Sequence, residues 1–169
     1  GFTTELGSKF MLQRMIKDAF KYIVSDNWKM QYAGLMSLGM MFEECKDHFE
    51  DELGNFINLL APTLTSGNPK VQYASMHCIA LLCTEFTPEL QTEHHAVILP
   101  TVINIMMTNE HQKLKLQACS MMINFFRELL EFDEEDRGFI PIYSDQIMSN
   151  LIKLFELGLS SNNMPIIEE

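Results

Sequence analysis

Basic residues are scarce in this sequence. Lysine and arginine together number 12 among 169 residues, against 23 aspartates and glutamates, so the formal charge is −11 at pH 7. A charge of this sign repels phosphate backbones, which argues against direct binding of nucleic acid and favours a basic polypeptide partner. The hydrophobic content of 47% is too high for a disordered acidic chain.

Cysteine is also scarce, and the four cysteines form no pattern. They are Cys45, Cys78, Cys83 and Cys119, without a Cys-x-x-Cys pair or a framework of the secreted type. Each lies in an apolar stretch with helical spacing. We therefore expect small buried hydrophobic residues in a reducing compartment.

Metal ligands and catalytic groups do not converge in the sequence. The pairs are Cys45 with His48, His77 with Cys78, and His94 with His95, whereas a tetrahedral zinc site needs about four converging ligands. A cysteine nucleophile needs a histidine base and a lowered pKa, but the run from Cys78 to Cys83 is apolar. Phosphate-binding loops, nucleophile elbows and HExxH motifs are missing. We expect no metal, no cofactor and no enzymatic activity.

No stretch of the sequence is long enough to cross a membrane. The most apolar stretch, residues 97–107, is interrupted by Pro100, Thr101 and Asn104 and is well short of a membrane span. We expect a soluble protein without membrane insertion.

The sequence repeats itself. Asn27-Trp28-Lys29-Met30-Gln31-Tyr32-Ala33 returns about 41 residues later as Asn68-Pro69-Lys70-Val71-Gln72-Tyr73-Ala74, and a weaker copy starts at Gln112. This period is typical of HEAT and armadillo arrays. Because one helix pair cannot bury its own apolar face, the copies must stack. The prediction is an all-α fold, a right-handed α-solenoid of HEAT repeats built from antiparallel helix pairs.

The apolar spacing and the turn residues divide the chain into repeats. The predicted units are the second helix of a truncated repeat (8–24), three repeats (27–66, 68–109 and 111–158), and the start of a next repeat or a frayed end (159–169). Within them we expect helices at 28–46, 51–65, 69–86, 92–108, 111–131 and 143–157, with a kink at Pro100. The start at Gly1-Phe2 suggests a piece of a longer solenoid.

Small residues recur in the first helix of each repeat. They are Ala33, Gly34 and Gly39, then Ala74, Ser75 and Ala80, then Ala118 and Ser120. We expect them at close contacts between neighbouring helices. Trp28 is expected to pack against the preceding helix.

The acidic run Asp133–Asp136 has two interpretations. It is either a solvated loop that keeps the chain soluble, which we favour, or a clamp for a basic ligand.

The residues themselves resemble a known family. Asp26-Asn27-Trp28-Lys29, Ala33-Gly34-Leu35-Met36, Glu43-Glu44-Cys45 and Asn68-Pro69-Lys70-Val71 are similar to the middle HEAT repeats of importin beta-type nuclear transport receptors, with most similarity to the karyopherin beta three branch. The resemblance covers roughly two thirds of the chain and weakens after about Gln112.

The resemblance implies a function. In that branch the second helices form a concave face that holds lysine-rich nuclear localisation signals, and the receptors shuttle between cytoplasm and nucleus. Partners would be basic cargo proteins, nucleoporins, and the Ran GTPase mainly through parts outside this chain. Candidate cargo-binding residues are Asp51, Glu52, Asn55, Asn58, Thr101, Asn104, Asp145, Ser149 and Asn150. The alternatives are a HEAT scaffold subunit of a phosphatase or vesicle coat and, more weakly, an enzyme with an undetected site.

Overall fold

The computed structural model describes residues 2–49, 53–127, 129 and 138–161, without the side chains of residues 2–9, 12, 43–45, 47–49, 154 and 157–161. These residues form seven α-helices: α1 (Phe2–Ile23), α2 (Trp28–Phe49), α3 (Leu53–Leu64), α4 (Pro69–Glu85), α5 (Glu89–Thr108), α6 (Gln112–Arg127) and α7 (Ile140–Ser161).

The helices pack in two layers. Helices α2, α4 and α6 lie side by side in the first layer, and α3, α5 and α7 lie side by side in the second. Helix α1 packs along α2. Apolar side chains from both layers fill the space between them, so each helix pair is buried by its neighbours. The predicted all-α stack of HEAT type is confirmed.

The repeated sequence forms the same turn twice. Ahead of α2, the Asn27 side-chain oxygen accepts a hydrogen bond from the Lys29 backbone N–H at 3.0 Å. Ahead of α4, Asn68 accepts the equivalent bond from Lys70, also at 3.0 Å. A side-chain oxygen of this kind satisfies one of the free N–H groups at a helix start. The resemblance between the two segments therefore reflects one capping solution used twice.

The third copy uses a different cap. Asn109 accepts a hydrogen bond from the His111 backbone N–H at 2.9 Å, but α6 begins at Gln112. The His111 carbonyl, 2.9 Å from the Leu114 N–H, starts the helical bonding instead. The asparagine has thus moved out of the cap position, which explains why this copy is harder to recognise in the sequence.

Aromatic rings connect the two layers. Phe42 of α2 meets Phe56 of α3 and Phe86, which follows α4, edge-on with ring centroids 6.3 Å and 6.2 Å away. Phe20 of α1 extends the row to Phe56 at 5.1 Å. Edge-to-face pairs add to the stabilisation that burial provides. This row joins α1 to the end of α4.

A buried amide joins three helices further along. The Gln91 side chain of α5 is buried, and its Nε2 donates to the carbonyl oxygens of Cys83, at 3.1 Å, and Phe125, at 3.5 Å. It thereby links α4, α5 and α6. Removing one partner of a buried hydrogen bond costs about 1–3 kcal/mol, so this side chain helps to fix the separation of the helices.

Most of the small residues lie at close contacts. A β-carbon on Gly34 would approach the Ala19 carbonyl oxygen of α1 to 2.7 Å, and one on Gly39 would approach Leu81 of α4 to 2.9 Å. Ala74 is fully buried. The prediction is wrong for Ala33, which is exposed.

The position of α1 explains the difference at Ala33. Gly34 touches residues 19, 22 and 23 of α1, and Ser75, its counterpart in the next repeat, touches residues 60 and 63 of α3. Helix α1 therefore packs against α2 in the same way as α3 packs against α4. In its own layer α2 is flanked by α4 alone, within the described residues. Ala33 is exposed there, whereas Ala74 of α4, which lies between α2 and α6, is buried.

Several helix ends differ from the predictions. Helices α1 and α7 are longer than predicted, α6 ends at Arg127, and α5 begins one turn early at Glu89. Pro100 does not interrupt α5. It is exposed, and an unpaired carbonyl on a solvated helix face can bond water. Residues 162–169, predicted as a turn or a next helix, lie outside the described residues.

We predict that Asn68→Ala lowers the free energy of unfolding by about 1 kcal/mol, because the Lys70 N–H loses its cap. Gly67→Ala is the matched control, since a β-carbon there meets nothing within 4 Å, and its effect should stay within about 0.5 kcal/mol. Denaturant unfolding followed by circular dichroism measures both. Equal effects would contradict the role given to this cap.

A second prediction concerns the stacking of the first helices. Ala74→Leu should cost about 1–3 kcal/mol, because the position is fully buried and overpacking strains a filled core. Ala33→Leu places the same side chain at the equivalent but exposed position and should change stability by less than about 0.5 kcal/mol. Thermal unfolding measures the stability of both variants. A larger loss of stability in Ala33→Leu than in Ala74→Leu would contradict this assignment of the buried and exposed positions.

Candidate functional site

The described cysteines lie in the core, and the histidines do not converge with them. Cys78, Cys83 and Cys119 are buried, and burial raises the pKa of the Cys78 thiol. His77 stacks on Tyr73 with ring centroids 6.5 Å apart. The side chains of Cys45 and His48 lie outside the described residues. In the described part of the chain, no three histidine, cysteine or acidic side chains are placed to hold a metal ion.

Helix α3 presents two amides to solvent. Asn55 and Asn58 are exposed, and their spacing places them on the same side of the helix. The intervening Phe56 and Ile57 are buried, so the rest of the turn anchors α3 against the core. Asp51 and Glu52, predicted for the same face, lie outside the described residues.

Helix α5 carries a mixed stripe. Asn104 is exposed and Thr101 is half-buried, as expected for a face that borders solvent. Asn104 shares its stripe with Val97 and Pro100, which are also exposed. Val97 and Pro100 belong to the most apolar stretch of the sequence. We therefore did not predict them as surface residues.

Sequence reasoning missed Glu93 on the same stripe. It is exposed and lies four residues before Val97, so the two share a side of the helix. We predicted that α5 begins at Thr92, which would leave Glu93 in the first turn. Because α5 begins at Glu89, Glu93 stands a full turn inside the helix and adds a carboxylate to this face.

Helix α7 carries the last three candidate residues. Asp145 and Ser149 are exposed, four residues apart on one side. The prediction is wrong for Asn150, which is only 4% exposed. It follows Ser149 directly, and a helix turns by about 100° per residue, so its side chain faces the packed side of α7.

The helices that carry these side chains are neighbours. Helix α5 packs against both α3 and α7. We call the set Asn55, Asn58, Glu93, Thr101, Asn104, Asp145 and Ser149 the polar face. Amides both donate and accept hydrogen bonds, and carboxylates accept charge-assisted bonds from ammonium groups. Such a surface suits an extended basic peptide.

Two other features were singled out in the sequence. The acidic run Asp133–Asp136 lies outside the described residues. Trp28 is half-buried, and the Lys70 ammonium of α4 lies 5.1 Å from its ring centroid. The ring therefore faces the following repeat as well as the core. We expected packing against the preceding helix and did not predict this contact with the following repeat.

No described helix combines the length and the apolar composition that crossing a membrane requires. No protein-family model matches the chain.

Comparison with known proteins identifies relatives along almost the whole chain. Importin subunit beta-3 of Saccharomyces cerevisiae is 25% identical over 165 residues, which is 98% of this chain and 14% of the relative. The chain is homologous to this importin. The probable importin subunit beta-4 of Schizosaccharomyces pombe is 23% identical over 156 residues, 92% of this chain and 14% of the relative. The chain thus spans about 14% of the length of either importin.

A solved structure shares the fold. The crystal structure of Kap121p matches this chain with a TM-score of 0.77 and 23% sequence identity. The match covers 89% of this chain and 14% of Kap121p. Kap121p has also been solved bound to RanGTP, to Nup53p and to Pho4p. The likeness to this structure supports the HEAT-repeat architecture of the chain.

His95 of α5 contacts residues at the start of α7, so it links these two helices of the second layer. Its ring stacks on Phe139 with centroids 4.4 Å apart, and its Nδ1 lies 3.1 Å from the Tyr143 hydroxyl of α7. Partial burial lowers the pKa of His95 below its usual value. In the folded chain the neutral imidazole is therefore favoured more than in the unfolded chain.

From this we predict a pH-dependent loss of stability. As pH falls through about 6.5, the usual histidine pKa, the unfolded chain takes up a proton at residue 95 before the folded chain does, so stability falls. His95→Gln should reduce the slope of the denaturant midpoint between pH 7.5 and 5.5, whereas His111→Gln, at an exposed position, should not. An unchanged slope in His95→Gln would disprove the assignment.

Proposed function

We propose that the chain is a segment of a nuclear transport receptor and that its polar face binds basic, lysine-rich cargo signals. The observation that carries the proposal is the homology to importin subunit beta-3 across 98% of the chain. In this proposal the second-layer helices α3, α5 and α7 line the concave side of the longer solenoid.

The composition of the polar face supports the proposal. Asn55 and Asn58 can hold the backbone of an extended peptide, because each amide offers two donors and an acceptor. Glu93 and Asp145 can accept the ammonium groups of lysine side chains. The formal charge of −11 attracts such a peptide from a distance and raises its association rate.

The other partners follow from the same relationship. We propose that RanGTP releases the cargo in the longer protein, mainly through contacts outside this segment, and that the receptor binds nucleoporins and shuttles between cytoplasm and nucleus. The structures of Kap121p with RanGTP and with Nup53p support these assignments.

The test is a titration of a lysine-rich peptide at low and moderate salt. Glu93→Lys combined with Asp145→Lys should weaken binding roughly five- to thirtyfold, since exposed ion pairs contribute up to about 1 kcal/mol each and about 1.4 kcal/mol is a factor of ten. The loss should be larger at low salt, where charges are less screened.

The matched control is Asp26→Lys combined with Glu110→Lys. Both residues are exposed, lie in the turns before α2 and α6, and give the same change in net charge. An equal loss in this control would mean that net charge alone drives binding. Glu134→Gln with Glu135→Gln tests the acidic run, and abolition of binding by that pair alone would place the site there.

A further inference from the structure

A second surface lies on the first layer, away from the polar face. The first turns of α2, α4 and α6 border a groove of about 1010 Å³. Its lining includes Trp28, Tyr32, Lys70, Tyr73, His111 and Lys113. Aromatic rings and cationic side chains thus share one concave surface.

The charge of this groove is opposite to that of the chain. The chain has 23 acidic residues, yet none lines the groove, whereas Lys70 and Lys113 do. The exposed carboxylates Asp26 and Glu110 belong to adjoining turns and not to the lining. Because the whole chain repels anions, a local surface without carboxylates is where an acidic group meets the least repulsion.

Lys70 is held by an aromatic ring and not by a carboxylate. The Lys70 ammonium lies 5.1 Å and the Lys29 ammonium 5.8 Å from the centroid of the Trp28 ring. Within the described residues, the ion pairs are those of Arg14 and Lys21 with Asp18 on α1. A cation–π contact positions an ammonium without neutralising it, so the Lys70 charge stays available to an anion in the groove.

The helix directions reinforce this charge. Helices α2, α4 and α6 all begin at the groove, and the start of a helix carries a partial positive charge. We propose that this groove binds an acidic peptide segment of a partner protein, with carboxylates at Lys70 and Lys113 and an apolar side chain against Tyr32 and Tyr73. This site does not depend on the proposed binding of basic cargo at the polar face.

Trp28 is the single tryptophan of the chain, so its fluorescence reports on the groove alone. The probe is a short glutamate-rich peptide with one leucine and no tryptophan, labelled for anisotropy. Its counterpart has glutamine in place of every glutamate. We expect the acidic peptide to shift the Trp28 emission and to bind at least about tenfold more tightly than the neutral one at low salt.

Charge reversal locates the site. Lys70→Glu with Lys113→Glu should weaken the acidic peptide by at least about tenfold. The control, Lys17→Glu with Lys153→Glu, reverses two exposed lysines on α1 and α7 and gives the same change in net charge, so it should weaken binding much less. Circular dichroism melting verifies that both variants fold, and the lysine-rich peptide tests the polar face separately.

Four results would overturn the proposal. Equal binding of the neutral peptide would make the groove an apolar site. An equal loss in the control variant would reduce the effect to net charge. Stronger competition by single-stranded DNA of matched charge would assign the surface to phosphates, and an unchanged Trp28 emission would place the peptide elsewhere.

Discussion

Every helix in this chain depends on neighbours from other pairs, because no single pair can bury its own apolar face. Phe42 shows the consequence, since its ring contacts Phe56 of its own repeat and Phe86, which follows the first helix of the next. Gln91 extends the same dependence to polar groups by bonding to the carbonyl oxygens of Cys83 and Phe125. Adding or removing one repeat therefore changes the stability of those beside it.

A sandwich of two layers leaves two outward surfaces, and here they differ in chemistry. The polar face of the second layer carries amides and carboxylates, whereas the groove of the first layer carries lysines and aromatic rings. The core between them is apolar. A chain of charge −11 can thus offer opposite charges to two ligands without bringing those charges together.

Local signals predicted much of the fold. Asn27 and Asn68 cap their helices through the same bond, and a capping asparagine is readable from the sequence because it depends on residues two positions away. The candidate site was harder to predict, because exposure depends on where a helix begins and what flanks it. Glu93 was missed because α5 starts earlier than predicted, and Asn150 was wrongly included because it turns toward the packed side. Ala33 and Ala74 occupy equivalent positions in the repeat, yet among the described helices only those around Ala74 flank it on both sides within its layer.

The groove illustrates a different limit of sequence reasoning. Lys29 and Lys70 stand at matching positions after the capping asparagines, and each is an ordinary solvated lysine when its helix is considered alone. Stacking α4 against α2 brings the Lys70 ammonium to the Trp28 ring, next to which Lys29 already stands on α2. A repeat of about 41 residues therefore converts one basic residue per repeat into a row of charges along the first layer. Since that row arises from the stacking itself, its spacing is fixed by the same small buried residues, Gly39 and Ala74, that set how closely the helices approach.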